Sequence, residues 1–189
     1  MSIRTFLALE LPFKIVETLQ RLIRTGYAIQ NDGIKYVDKQ NLHITLKFLG
    51  DNDEIRVHKF VTTLSTIVFP VPSISVQGLG AFPNLIFPKV LWAGLQFSPG
   101  LTELFHVVEN TARRCEFKTE EKEFHPHITL ARLKKNVSPE LNRWIKENKD
   151  TVFSELFQPS EMVLFESRLN SNGPVYTKIQ SIVLNGNKL

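Results

Sequence analysis

The sequence predicts an α+β fold of two pseudo-symmetric lobes, each an antiparallel sheet backed by helices, with a central cleft between them. Three observations lead there. Apolar residues switch between strand spacing and helix spacing along the whole chain. The tetrapeptide His-Ile-Thr-Leu occurs twice, at 43–46 and 127–130, 84 residues apart. Each copy precedes a helix-like run, and a long helix pattern precedes the strand group of each half, as in a diverged duplication. No linker is polar enough to separate independent domains, so residues 1–189 are expected to form a single bilobal domain.

The elements follow in order. "IRTFLALEL" at 3–11 alternates as a strand. Ile15, Val16, Leu19, Leu22 and Ile23 then recur at helical spacing, predicting an amphipathic helix over 12–28. "GIKYV" at 33–37 and "LHITLKFLG" at 42–50 read as a strand pair. The acids of "DNDE" at 51–54 suit a helix start, and Val57, Phe60, Val61, Leu64 and Ile67 mark the helix behind them. Residues 69–89, rich in Pro and Gly, predict a strand followed by a long loop. "VLWAGLQF" at 90–97 is a buried strand. Ser98-Pro99 then caps a helix whose apolar face is Leu101, Leu104, Phe105, Val108, Ala112 and Cys115. The charged turn "KTEEKE" leads to the second motif strand at 124–133. Ser138-Pro139-Glu140 opens a short helix, and strands near 161–169 and 174–184 close the chain.

Composition narrows the function classes. Hydrophobic residues at 42% with 22% charged belong to a globular chain, and no apolar run approaches a membrane span. "MSIRTFLALELPFK" reads as a strand rather than a signal peptide. The single cysteine, Cys115, precludes an internal disulfide or a cysteine metal cluster, and a cytoplasmic monomer is expected. A net charge of +4 leans only mildly towards polyanionic partners.

Five histidines and 13 threonines in 189 residues give about 0.3 His-x-Thr triplets by chance, so two copies of His-Ile-Thr-Leu stand out. In a strand, residues i and i+2 share a face. His43, Thr45 and Lys47 therefore point one way, and Ile44, Leu46 and Phe48 point the other way, into a core. His127 and Thr129 likewise oppose Ile128 and Leu130. A solvated strand face explains one such copy but not a matched pair. Meeting across a pseudo-two-fold cleft, the two polar faces make one site suited to phosphate chemistry. Two imidazoles, with ordinary pKa about 6.5, divide the roles of base and acid. Two hydroxyls donate to non-bridging phosphate oxygens. In-line displacement puts acid and base on opposite sides of phosphorus.

Nearly end to end, the chain resembles the two-histidine phosphoesterases, and within them the RNA 2′,3′-cyclic phosphodiesterases, also called 2′-5′ RNA ligases. The likeness includes "RTFLALELP", "NLHITLKFLG", "GLGAFPN", "VLWAGL", "FHPHITLARL" and "LFESRL". It implies a bilobal fold with a water-filled cleft, no metal and no cofactor. It also implies His43 as proton donor, His127 as proton acceptor, Thr45 and Thr129 as phosphate ligands, and RNA with a 2′,3′-cyclic phosphate end as substrate. Arg132 matches an arginine usual in the family, but strict alternation places it with Ile128 and Leu130, away from the cleft. It stays open as a phosphate or a structural contact. Tyr36, in Tyr36-Val37-Asp38 where members often carry Trp-Val-Pro, is a candidate substrate contact. His125 stands where members often carry Arg; both departures bear on substrate preference.

Other candidates are weaker. His125 and His127 share a strand face but lack an evident third metal ligand. Phe82, Phe87 and Trp92 suit base stacking, although such residues are more often core. Lys134-Lys135 and Arg113-Arg114 suit an RNA backbone but equally a solvated surface. Cys115 falls on a core position. Ligation of a cyclic phosphate to a 5′-hydroxyl is the reverse reaction on the same four residues. An ATP-dependent ligase lacks its Lys-x-Asp-Gly, and no P-loop occurs. A binding module without turnover is the rival from another class.

Overall fold

The computed structural model describes residues 2–184 apart from Pro70, Phe97, Glu121, Lys122 and Asn172. The elements run β1 (Ser2–Leu9), α1 (Phe13–Ile29), β2 (Ile34–Tyr36), β3 (Ile44–Asp53), α2 (Glu54–Ser65), β4 (Val76–Phe82), β5 (Val90–Leu95), α3 (Pro99–Arg114), β6 (His127–Leu133), α4 (Pro139–Glu147), β7 (Glu161–Asn170) and β8 (Gly173–Val183). Three of the four helices start on the side-chain caps their sequences suggest: Asp53 accepts from the Ile55 N–H, Ser98 from Leu101 and Ser138 from Leu141.

Two antiparallel four-stranded sheets result, ordered β3-β1-β7-β8 and β2-β6-β5-β4. The α+β architecture of two lobes is as expected, and β3-β1-β7 corresponds to β6-β5-β4. The halves of the chain are nevertheless exchanged between the lobes. Helices α2 and α3 pack with the first sheet, whereas α1 contacts β6 and α4, and α4 contacts β4 of the second. The segments 33–37 and 42–50 do not pair with each other, as alternation alone had suggested. Strand β2 pairs with β6, and β3 pairs with β1. The reason lies in the link: residues Lys39–Asn41 form a 3-10 turn instead of a hairpin turn, and the Val37 N–H donates to the Leu130 carbonyl in the other sheet. Within 69–89 the strand begins only at Val76, and the approach to it is held by an isolated bridge from Ile74 to Phe157.

One apolar core runs through both lobes, joining Leu7, Leu9, Ile44 and Phe60 with Leu91, Ile128, Leu130 and Leu141. A separate small cluster of Phe6, Ala8, Val163 and Phe165, with Tyr176 against it, covers the opposite face of the first sheet. This second cluster gives the cleft an apolar wall beside His43.

Candidate active site

Both motif strands begin with regular alternation and then break it at the same place. On β3, Ala8 pairs with Thr45 and Leu7 with Lys47, so Leu46 has no partner on β1. On β6, Trp92 pairs with Thr129 and Leu91 with Ala131, so Leu130 has no partner on β5. Each is a β-bulge, which inserts one residue and reverses the facing of the residues that directly follow. Leu46 and Lys47 are therefore both buried and Phe48 is 68% exposed in the cleft, the reverse of the expected facing of Lys47 and Phe48. Leu130 and Ala131 are likewise both buried, and Arg132 turns out beside Thr129 instead of away from the cleft. Buried Lys47 is neutralised by Glu109, with Nζ–Oε1 at 2.7 Å, and also donates to the Lys118 carbonyl at 2.8 Å.

The two histidines are held alike. The Nδ1–H of His43 donates to the Asn41 carbonyl and that of His127 to the His125 carbonyl, each at 2.7 Å. A carbonyl only accepts, so Nδ1 keeps its proton and Nε2 is the nitrogen left for chemistry. Aromatic rings flank both. Phe6 lies 4.9 Å from His43, with Tyr176 edge-on at 5.6 Å. Phe82 lies edge-on to His127 at 4.9 Å, and Trp92 lies 6.4 Å away. Burial lowers the His43 pKa to about 4 against the help of the Asn41 carbonyl, and the His127 and Arg132 charges add to the lowering. His127 is also lowered, chiefly by burial.

A cavity of about 100 Å³ brings together His43, Thr45, His127, Thr129, Arg132 and Tyr36. No hydrogen bond among the described residues engages the Thr45 or Thr129 hydroxyl. Tyr36 contributes a ring face: its hydroxyl donates to the Gln30 carbonyl at 2.8 Å, and burial pushes its pKa up to about 12. Lys35, Asp38, Phe48, Pro174 and Tyr176 are among the other lining residues. Sequence reasoning missed Lys35 and Tyr176, since nothing local distinguishes them from other strand residues. A larger neighbouring cavity of about 620 Å³ shares Thr45, Phe48 and His127 with the first and adds Phe82, Phe105, Phe124, His125 and three glutamates. It reaches only one of the paired histidines, so the smaller cavity is the candidate centre.

The weaker candidates scatter. His125 and His127 have ring centroids 6.4 Å apart, and no described His, Cys, Asp or Glu completes a group of three with them. Phe82 lines the larger cavity beside His127, whereas Trp92 lines neither cavity and its ring lies over Gly80 so closely that any side chain there would clash. Phe87 is 67% exposed and lines neither cavity. Lys135 is paired with Asp32 at the surface, Arg113 bonds Asn110, and Cys115 is buried at the end of α3.

The family model described as LigT-like phosphoesterase matches residues 9–92 and 96–176, covering both motif strands and the late Tyr176. The chain belongs to this family. It is 34% identical to the RNA 2′,3′-cyclic phosphodiesterase of Methanocaldococcus jannaschii, over 94% of this chain and 98% of that one. Identity to the protein of the same name from Aeropyrum pernix is also 34%, over 86% and 94% of the two chains. Among solved structures, a protein of Thermus thermophilus superposes with a TM-score of 0.82 at 26% identity, over 98% of this chain and 100% of that one. Escherichia coli LigT shares the fold, with a TM-score of 0.78 at 22% identity over 96% and 97% of the chains.

Proposed function

We propose that this enzyme hydrolyses 2′,3′-cyclic phosphates at RNA ends to 2′-phosphates by general acid–base catalysis, with the two His-x-Thr strands acting on one phosphoryl group. One observation carries this: two identically tethered histidines and two unengaged threonine hydroxyls surround one small cavity, with Arg132 at its edge. His127 Nε2 takes a proton from water as the water oxygen attacks phosphorus. The bond from phosphorus to the 3′ oxygen breaks in line, and His43 Nε2–H gives that oxygen its proton. Thr45, Thr129 and Arg132 hold the non-bridging oxygens while charge grows on them.

With its pKa at about 4, His43 is neutral at neutral pH until substrate binds, so it has to gain its proton with the substrate. A phosphoryl anion between His43 and Arg132 reverses the local field and favours the charged imidazole. The names of the curated relatives supply the substrate class. The two imidazoles account for both proton transfers, so no metal or cofactor enters a step. We place the reaction in the cytoplasm and in a monomer, with residues 1–189 working as one bilobal unit.

The test is incubation of the purified protein with a short RNA ending in a 2′,3′-cyclic phosphate, with and without EDTA, followed by resolution of the termini. Conversion to a monophosphate end in both samples is expected. Binding without conversion would instead make the protein a recognition module. Conversion only with added metal would refer the chemistry to the His125–His127 pair. Joined product on addition of a 5′-hydroxyl RNA would show the reverse, 2′-5′ ligating direction on the same residues.

A further inference from the structure

The bulge in β3 leaves an arrangement that burial alone would not select. Lys47 lies inside the fold and Phe48, the next residue, is 68% exposed, whereas apolar side chains ordinarily take the interior and lysine the surface. The inversion is compensated at the Lys47 ammonium. Two oxygens of the Glu109 carboxylate and the Lys118 carbonyl surround it at 2.7, 3.0 and 2.8 Å. Places where a chain breaks a local rule and compensates for it elsewhere are commonly functional. What this one produces is an aromatic face in the cleft.

Phe48 stands between two cavities. It lines the small one around the paired histidines and also the neighbouring one of about 620 Å³. The larger cavity is aromatic, with Phe82 and Phe124 in its wall. Phe124 is held flat against Phe105, with ring centroids 4.0 Å apart and planes 8° from parallel. Thr45 and His127 belong to both cavities, so the larger one begins beside the proposed phosphoryl position. Its size and its mainly apolar wall are those of a small-molecule site.

In a nucleoside 2′,3′-cyclic phosphate the phosphoryl group and the base are joined through a single ribose. With phosphorus between the two His-Thr pairs, the base lies one sugar ring away, and the aromatic cavity offers it a matching surface there. Flat nucleobases stack on aromatic side chains, and differences among bases follow stacking strength. A purine buries more of its face on such a wall than a pyrimidine does.

We propose that the larger cavity seats the nucleobase of the terminal nucleotide, stacked on Phe48 against the wall that Phe82 and Phe124 form, and favours purines over pyrimidines. This rests on the cyclic-phosphate function proposed above.

The test compares kcat/KM for three substrates with the same ring phosphate: adenosine 2′,3′-cyclic phosphate, cytidine 2′,3′-cyclic phosphate and 1-deoxyribose 2,3-cyclic phosphate, which has no base. The wild type is expected to rank them in that order, with adenosine about 10–100-fold above the baseless compound. Phe124 lines the larger cavity and not the small one. Phe124→Leu, which keeps an apolar side chain without the ring, is expected to lower the ratio of adenosine to baseless substrate about fivefold. Baseless turnover should stay within about twofold of wild type, which shows in the same experiment that the variant is folded. Phe48 faces both cavities, so Phe48→Leu is read on base preference alone and is expected to remove most of the lead of adenosine over cytidine. Wild-type values within about twofold of one another, or cytidine at or above adenosine, overturn the subsite while leaving the cyclic-phosphate function standing. A Phe124→Leu ratio equal to that of wild type also overturns it. Turnover of a cyclic-ended RNA but of none of the three small substrates would place recognition upstream of the terminal base and likewise overturn it. Failure of the wild type on that RNA and on all three overturns the cyclic-phosphate function, and the subsite with it.

Discussion

Strands β3 and β6 carry the same tetrapeptide, the same bulge and the same tether from histidine Nδ1 to a carbonyl two residues earlier, yet their next residues differ. After its bulge β3 buries Lys47 and exposes Phe48, whereas β6 buries Ala131 and exposes Arg132. The shared part places two imidazoles and two hydroxyls around one cavity. The unshared part makes the cavity one-sided, with an apolar ring at one equivalent position and a guanidinium at the other. The histidines differ as well: burial and the His127 and Arg132 charges lower the His43 pKa, whereas burial and the His125 charge lower that of His127. In the proposed mechanism the shared part supplies the acting groups, and the divergence after the bulge separates their roles.

The largest effects are expected where the halves are identical. His43→Ala and His127→Ala should each lower turnover by about 10²–10⁴ with the fold retained, and the double variant should be little worse than either single one. Effects that multiply in the double variant would mean that the two histidines serve separate sites. Where the halves differ, the expected losses differ too. Arg132→Ala should cost about 10–100-fold in kcat/KM, because it removes a charged donor to the phosphoryl group, and Phe48→Ala should cost less. Equal losses would remove the asymmetry from the mechanism. Thr45→Ala and Thr129→Ala should each cost about tenfold, since each removes one neutral donor. A loss at only one of them would show that the phosphate sits on one strand.

Stability should report the difference between the histidines most quietly. The folded pKa of His43 lies at about 4, below the ordinary 6.5, so the unfolded chain binds the proton more readily. The stability linked to His43 is therefore complete above about pH 6.5 and is lost as pH falls towards 4. Melting temperatures of His43→Gln should fall less steeply than those of wild type across that window. Parallel curves would show that His43 is not desolvated in the folded protein.

The sequence made the candidate site residues more legible than the geometry around them. A repeated His-x-Thr is visible in one dimension because period-two alternation puts both side chains on one face, and the structure brings all four residues to one cavity. The lobes were legible for the same reason. The bulges were not, because nothing in Leu46-Lys47 or Leu130-Ala131 signals an extra residue. Alternation carried past them therefore sent Lys47, Phe48 and Arg132 to the wrong faces. The β2 partner was hidden because residues 33–37 and 42–50 are near in sequence, while the 3-10 turn between them directs β2 to the other sheet. Tyr176 and Lys35 reach the site only through this long-range pairing and the closing hairpin, which local pattern does not encode.

The direct test of the central claim, that two like strands with unlike surroundings hold one phosphoryl group in one orientation, is phosphorus NMR of the product. The substrate is an RNA 2′,3′-cyclic phosphate, and authentic 2′- and 3′-nucleotides serve as standards. A 2′-phosphate alone is expected, formed with the 3′ oxygen against His43 and the attacking water against His127. A 3′-phosphate would reverse the acid and base assignments, and an equal mixture would contradict the claim that Phe48 and Arg132 fix the ribose.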